Sequence, residues 1–209
     1  MHIDPNELRG SHVYRLMTSL VIPRPIAWVG TRGRDGRDNL APFSYFMAVS
    51  SAPPSLAISV ARAAGDALKD TARNILETGV FTVSMVDRPR ADAMVQTSLR
   101  WPSETSEFGP AGLTPVSGDR IDAPYPAEAR ASMECRLIHT HDLGSVHLLV
   151  GQVVRFHIDD ALIVPGRDGN PQIDAAALDA VARLGGVQYA MGPDIVALPP
   201  PALRPESAG

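Results

Sequence analysis

An antiparallel β-barrel with helices attached at its periphery is the fold class this sequence predicts, on three observations. Short apolar runs of strand character recur along the chain, few helical segments interrupt them, and the regular strand–helix alternation of a doubly wound sheet is missing. Neither G-x-G-x-x-G nor G-x-x-x-x-G-K-[ST] occurs, so no dinucleotide or triphosphate loop of those kinds is expected.

In order, Ser11 is placed to cap a short amphipathic helix, His12 to Thr18, which Pro23-Arg24-Pro25 stops. Ile26 to Thr31 reads as a strand, the Asp-Gly turn signal within Arg32 to Asp38 reverses the chain, and a return strand runs from Asn39 to Val49. Pro42 marks an edge or a bulge in it, because proline cannot donate to a ladder. Ser55 to Val60 is a further strand after Pro53-Pro54. A helix over Ala72 to Thr78 opens at Asp70 or Thr71 and closes on Gly79 in the left-handed region. Val80 to Met85 alternates as a half-buried strand, and a helix follows from about Arg90 to Ser98. Arg100 to Pro126 is a long Pro-, Gly- and Ser-rich excursion of the kind that more often serves function than idles. Strands are expected at Ala131 to His141 and Ser145 to Ile158, a helix at Asp174 to Ala182, and a last strand at Ile195 to Leu198.

With 209 residues, the chain fits one domain over residues 1–198 and a Pro-rich tail over 199–209. A 44% hydrophobic and 20% charged composition is that of a globular protein. The net charge of −4 and the scattered arginines argue against nucleic acid as a partner. No apolar run approaches the ~18 residues of a membrane span, so a cytoplasmic protein is expected. The single cysteine, Cys135, fits a reducing compartment and, in a strand-like run, reads as a small buried apolar residue.

Three constellations carry chemical potential. Of 19 cationic side chains, Lys69 is the one lysine, and it stands with Asp70 and Thr71 directly before a helix. First-turn amides and the helix dipole converge there, so the segment reads either as an anion site for a phosphate monoester or as a plain cap with an exposed lysine. Ser44-Tyr45-Phe46 and Ser50-Ser51 put hydroxyls beside aromatic surface, which locally reads first as core aromatics flanked by loop serines and second as a surface suited to a flat heteroaromatic ring. His139, His141 and His147 are near one another on two strands but lack a carboxylate or thiolate at ligand spacing, so no metal site is expected.

Seven segments taken together, Pro23 to Val29, Asn39 to Phe46, Ser50 to Pro54, Lys69 to Ile75, Glu107 to Leu113, Glu134-Cys135 and Arg183 to Tyr189, resemble the flavin reductase-like family. Their order and gaps match its flavoredoxin-type members from about Asp4 to Leu198. The resemblance implies a six-stranded antiparallel split β-barrel that forms a homodimer, with FMN near the subunit interface. By the same resemblance Lys69, Asp70 and Thr71 fall at the phosphate and ribityl end. Asn39, Ala41, Pro42, Ser44, Tyr45, Ser50 and Ser51 fall around the ring and ribityl chain, while Arg183 and Tyr189 close the site or support the dimer. Met47 departs from the small or polar residue many members carry, which implies a more apolar ring pocket. The resemblance implies an FMN-binding oxidoreductase of the NAD(P)H-dependent flavin reductase type, with an FMN-holding electron carrier that accepts electrons from a protein partner as the alternative, and with an electron-accepting protein or an oxygenase as the expected partner. In either case the flavin supplies the chemistry, and no catalytic side chain is named.

Overall fold

A computed structural model describes residues 1–102, 104–166, 168–192 and 195–196. Its centre is one antiparallel sheet of seven strands: β1 (Ala27–Arg32), β2 (Asp38–Phe43), β3 (Phe46–Ser51), β4 (Pro54–Ala61), β5 (Val80–Met85), β6 (Ala131–Asp142) and β7 (Val146–Ile158). They lie in the order β2-β1-β5-β6-β7-β4-β3. In a flat sheet β2 and β4 would stand roughly 24 Å apart, at about 4.8 Å per neighbour. Yet residues of these two strands approach within 8 Å of each other. The sheet is therefore curled around its core, with no hydrogen-bonded ladder joining the two edges among the described residues.

Seven strands stand where six were expected because the return strand does not run unbroken from Asn39 to Val49. It leaves the β1 ladder after Phe43, bends at Ser44-Tyr45, and resumes as β3 on the opposite edge, paired with β4. The Tyr45 carbonyl accepts from the Ser59 amide at 2.9 Å and pins that crossing. Pro42 sits on an edge strand opposite Trp28, where its missing N–H costs no ladder bond.

Inward side chains of the curl form one core: Val29, Ile58, Phe81, Cys135 and Leu149, closed by Ile75 of helix α2 (Asp70–Thr78). Gly151 is required there, since a Cβ at that position would lie 2.4 Å from the Phe81 ring. Cys135 is fully buried, and burial pushes its thiol well above the usual range, so it is the apolar filler expected. Gly79 ends α2 at φ 73°, its amide bonding to the Ile75 carbonyl at 2.9 Å.

A second core lies outside the curl, where Trp28, Leu40 and Val181 meet Met94 of helix α3 (Ala91–Gln96) and Phe108 and Leu113 of the long excursion. The excursion is thereby anchored and largely irregular, apart from short paired strands at Pro115–Ser117 and Pro124–Pro126. The first helix, α1 (Gly10–Leu20), begins earlier than expected; its cap is Arg9, and Ser11 lies within it.

The helix expected at Asp174 to Ala182 is the main local correction. Only Ala175–Leu178 is helical; Asp179 turns left-handed at φ 45°, and Val181–Arg183 is a strand between Arg24–Pro25 and Tyr189–Met191. Pairing of Asp179 and Ala180 with the segment Asp87 to Arg88 overrides the helix preference of the alanines. Ile195 and Val196 hold no strand, and the rest of that expected strand and the tail from Pro199 lie outside the described residues. No helix among the described residues is long and apolar enough to cross a membrane.

Candidate functional site

Helix α2 packs against the β1–β2 hairpin. Lys69 is its N-cap, exposed, in extended conformation, and makes no side-chain capping bond. Its ammonium has no hydrogen-bond or ion-pair partner among the described residues. The first-turn amides of α2 lack intrahelical acceptors and point the same way. Asp70 is bonded to Arg73. Thr71 is 2% exposed, and its Oγ1 accepts from Asn39 Nδ2 at 3.0 Å. Asn39 Nδ2 and Asn74 Nδ2 both reach Thr31 Oγ1, at 3.3 and 3.0 Å. These buried amides and hydroxyls fasten α2 to the β1–β2 hairpin. Asn39 therefore acts here by holding the helix start in place.

A cleft of about 590 Å³ opens above this helix start. Asn39, Ala41, Pro42, Lys69, Asp70 and Thr71 line it, so six of the sequence-predicted residues are gathered at one place. Its far wall comes from Thr97 to Trp101, which sequence reasoning did not single out, and from Glu107, which lies in one of the family-like segments but was given no role there. The signal available was the irregular excursion itself. Trp28 Nε1 donates to Thr97 Oγ1 at 2.8 Å and fixes one end of that wall, and Glu107 Oε2 accepts from the Leu40 amide at 2.9 Å and fixes the other. Burial pushes the Glu107 carboxyl above the usual carboxylate range.

Pro42, Phe43 and Ser98 are shared with a second cleft of about 560 Å³, so the two spaces adjoin. Ser44, Arg183 and Tyr189 face this second space. Arg183 lies 4.4 Å over the Tyr189 ring and donates to the Tyr189 hydroxyl and the Gly186 carbonyl. Tyr45, Ser50 and Ser51 line neither cleft. Ser50 and Ser51 sit on edge strand β3 with Met47, which is 59% exposed there and lines neither cleft.

His139 and His141 are exposed on β6, and His147 is buried with neither ring nitrogen hydrogen-bonded. They do not converge. Elsewhere, Asp119, Glu134 and His157 bring three ligand-type atoms within 4.8 Å of one another. Glu134 is fully buried, and its oxygens already accept from the amides of Asp119 and Arg120, both at 2.7 Å, and meet His157 Nε2 at 2.6 Å. Burial raises this carboxyl, but the bonds from His157 and the two amides outweigh burial and hold it below the usual range. That saturation identifies a structural brace for the 118–122 turn.

The family model of the flavin reductase like domain matches residues 17–167. This chain belongs to the flavin reductase-like family. Among solved structures, it is similar to nitrilotriacetate monooxygenase component B from Bacillus cereus, with 37% identity, a TM-score of 0.87, and coverage of 95% of this chain and 98% of that one. It is similar to a 2-nitrobenzoate 2-nitroreductase from Pseudomonas fluorescens, with 31% identity, a TM-score of 0.87 and full coverage of both chains. Flavoredoxin of Desulfovibrio vulgaris (Miyazaki F) matches with 28% identity and a TM-score of 0.75, over 97% of this chain and 99% of that one.

Proposed function

We propose that this chain binds FMN with its phosphate at Lys69 and the start of α2, and works as an NAD(P)H-dependent flavin oxidoreductase. One observation carries the reading: the single lysine has no partner among the described residues and stands where a helix start opens into a cleft of about 590 Å³. A phosphate monoester would gain charge-assisted bonds from the ammonium and the first-turn amides. The cofactor fits the remaining walls. Ala41, Pro42 and Trp101 offer apolar surface for a flat ring.

When bound, FMN supplies hydride and electron transfer; the chain contributes position. Asn39 and Thr71 hold the phosphate-binding turn in place, and Glu107 holds β2 through the Leu40 amide. The wall from Thr97 to Trp101 would stand beside the bound ring and limit its access to water.

The site is completed by a second copy in this reading. Strand β3 has one edge unpaired among the described residues, with Tyr45, Met47 and Val49 between 42% and 59% exposed beside Ser50 and Ser51. Homodimerisation through this edge would cover it and bring those serines and the apolar Met47 to a flavin at the interface. The six strands from β2 to β4 then form the split-barrel frame, with β3 as the dimerising edge.

Purified protein mixed with FMN should acquire flavin absorbance at roughly 450 nm, and should then oxidise NADH or NADPH catalytically. A protein that takes up FMN yet oxidises neither nucleotide is instead a flavin-holding electron carrier. The similarity to flavoredoxin favours that second reading, and the similarity to a monooxygenase component B favours delivery of electrons to an oxygenase. A protein that remains colourless with added FMN overturns both.

A further inference from the structure

We infer that the second cleft binds a flat organic anion of the aromatic carboxylate class, as the ligand that approaches the flavin from the Pro42–Phe43 side. The inference rests on the flavin reading for its purpose, though its geometry stands alone.

Three guanidinium groups, of Arg15, Arg24 and Arg183, face this cleft of about 560 Å³, and no acidic residue lines it. None of the three is ion-paired to a carboxylate among the described residues, whereas arginines 32, 62, 88, 90, 130 and 155 all are. In a chain of net charge −4 with 23 acidic side chains, an acid-free lining around three arginines leaves a local positive field.

Arg24 sharpens the point. It is only 6% exposed, and all its partners are neutral: the carbonyls of Thr18, Val21 and Leu184 at 2.6, 2.7 and 3.1 Å, and Ser44 Oγ at 3.4 Å. These four bonds spend most of its donors inside the chain, so Arg24 braces the cleft wall and adds its charge to the local field rather than a contact to the ligand. Arg183 is held flat over Tyr189 and is likewise bonded only to neutral oxygens. Its Nε–H makes no bond among the described residues and remains for a carboxylate oxygen. Tyr14, Tyr189 and Phe43 give the same cleft aromatic surface for a planar ring. Because Pro42, Phe43 and Ser98 border both clefts, a ring held by its carboxylate at Arg183 extends toward the space assigned to the flavin.

The test is calorimetric titration of the full-length protein, FMN-loaded and flavin-free, with benzoate, its neutral isostere benzamide, and AMP. Benzoate is expected to bind both forms about tenfold or more tightly than benzamide, and to lose about tenfold in Arg183→Gln, as a charge-assisted bond predicts. In the loaded protein it should also perturb the flavin absorption band. Arg15→Gln, on the exposed face of α1, is expected to weaken benzoate less, and thermal melting of both variants checks that they fold. Benzoate binding in flavin-free protein establishes the cleft even if FMN never binds, so the two readings fail separately. Equal binding of benzoate and benzamide, unchanged affinity in both folded variants, or displacement of benzoate by saturating FMN overturns the assignment. Tighter, Arg183-dependent binding of AMP that excludes benzoate also overturns it, by making the anion a nucleotide phosphate.

Discussion

Lys69 and Glu134 are two charged side chains treated in opposite ways by the same fold. Lys69 stands exposed at a helix start beside a large cleft and bonds to nothing among the described residues. Glu134 is completely buried and has its oxygens filled by two amides and an imidazole. The difference teaches how to separate ligand-binding charge from structural charge. A site for an external ion keeps its bonding capacity free, whereas a brace spends it internally, since an unsatisfied buried charge is expensive.

The strongest way to break the comparison is Glu134→Gln. One amide that now donates to a carboxylate oxygen would face an NH2 group, and the variant should lose about 3 kcal/mol of stability in chemical denaturation. FMN affinity of the folded fraction should stay unchanged. A stability loss below the error of the measurement would remove Glu134 from its bracing role.

Next is Lys69→Ala, which should weaken FMN binding by roughly 1.5 to 3 kcal/mol while changing stability by no more than about 0.5 kcal/mol, as for other surface substitutions. Flavin fluorescence quenching measures the first and thermal melting the second. Unchanged affinity would sink the phosphate role.

Acid sharpens the contrast further. Glu134 has a depressed carboxyl, so its contribution is fully present above the ordinary carboxylate pKa and is lost as pH falls through the lower folded value. Glu107 has the opposite sign: its contribution is full below the ordinary value and is lost as pH rises through the raised one. Amide signals of Asp119 and Arg120, followed by NMR, should shift at lower pH than that of Leu40. The reverse order would contradict both assignments. The smallest expected effect is Lys69→Arg, about 0.5 to 1 kcal/mol in FMN binding, because charge is kept while the compact ammonium is exchanged for a planar fork.

Much of this was legible from local pattern. The strands Val80–Met85, Ala131–Asp142 and Val146–Ile158 appear within a residue or two of expectation, as does the helix from Asp70 to Thr78 with Gly79 at its end. The misses share a cause. Asn39 to Val49 has strand character throughout, and only the curl of the sheet decides that its halves serve opposite edges. The alanines after Asp174 favour a helix, and a strand at Val181–Arg183 wins through its partners Arg24–Pro25 and Tyr189–Met191.

By itself the sequence determined the strand-rich class, the helix that begins beside Lys69, and membership of the flavin reductase-like family, because periodicity, capping and motif order are local properties of the chain. Tertiary structure alone decided which residues meet: that Thr97 to Trp101 wall the first cleft, that Ser50 and Ser51 face away from it, and that three arginines share a second cleft without an acid. Side chains distant in sequence become neighbours only when a curled sheet and its two cores fix the distances between them, and no local pattern encodes those distances.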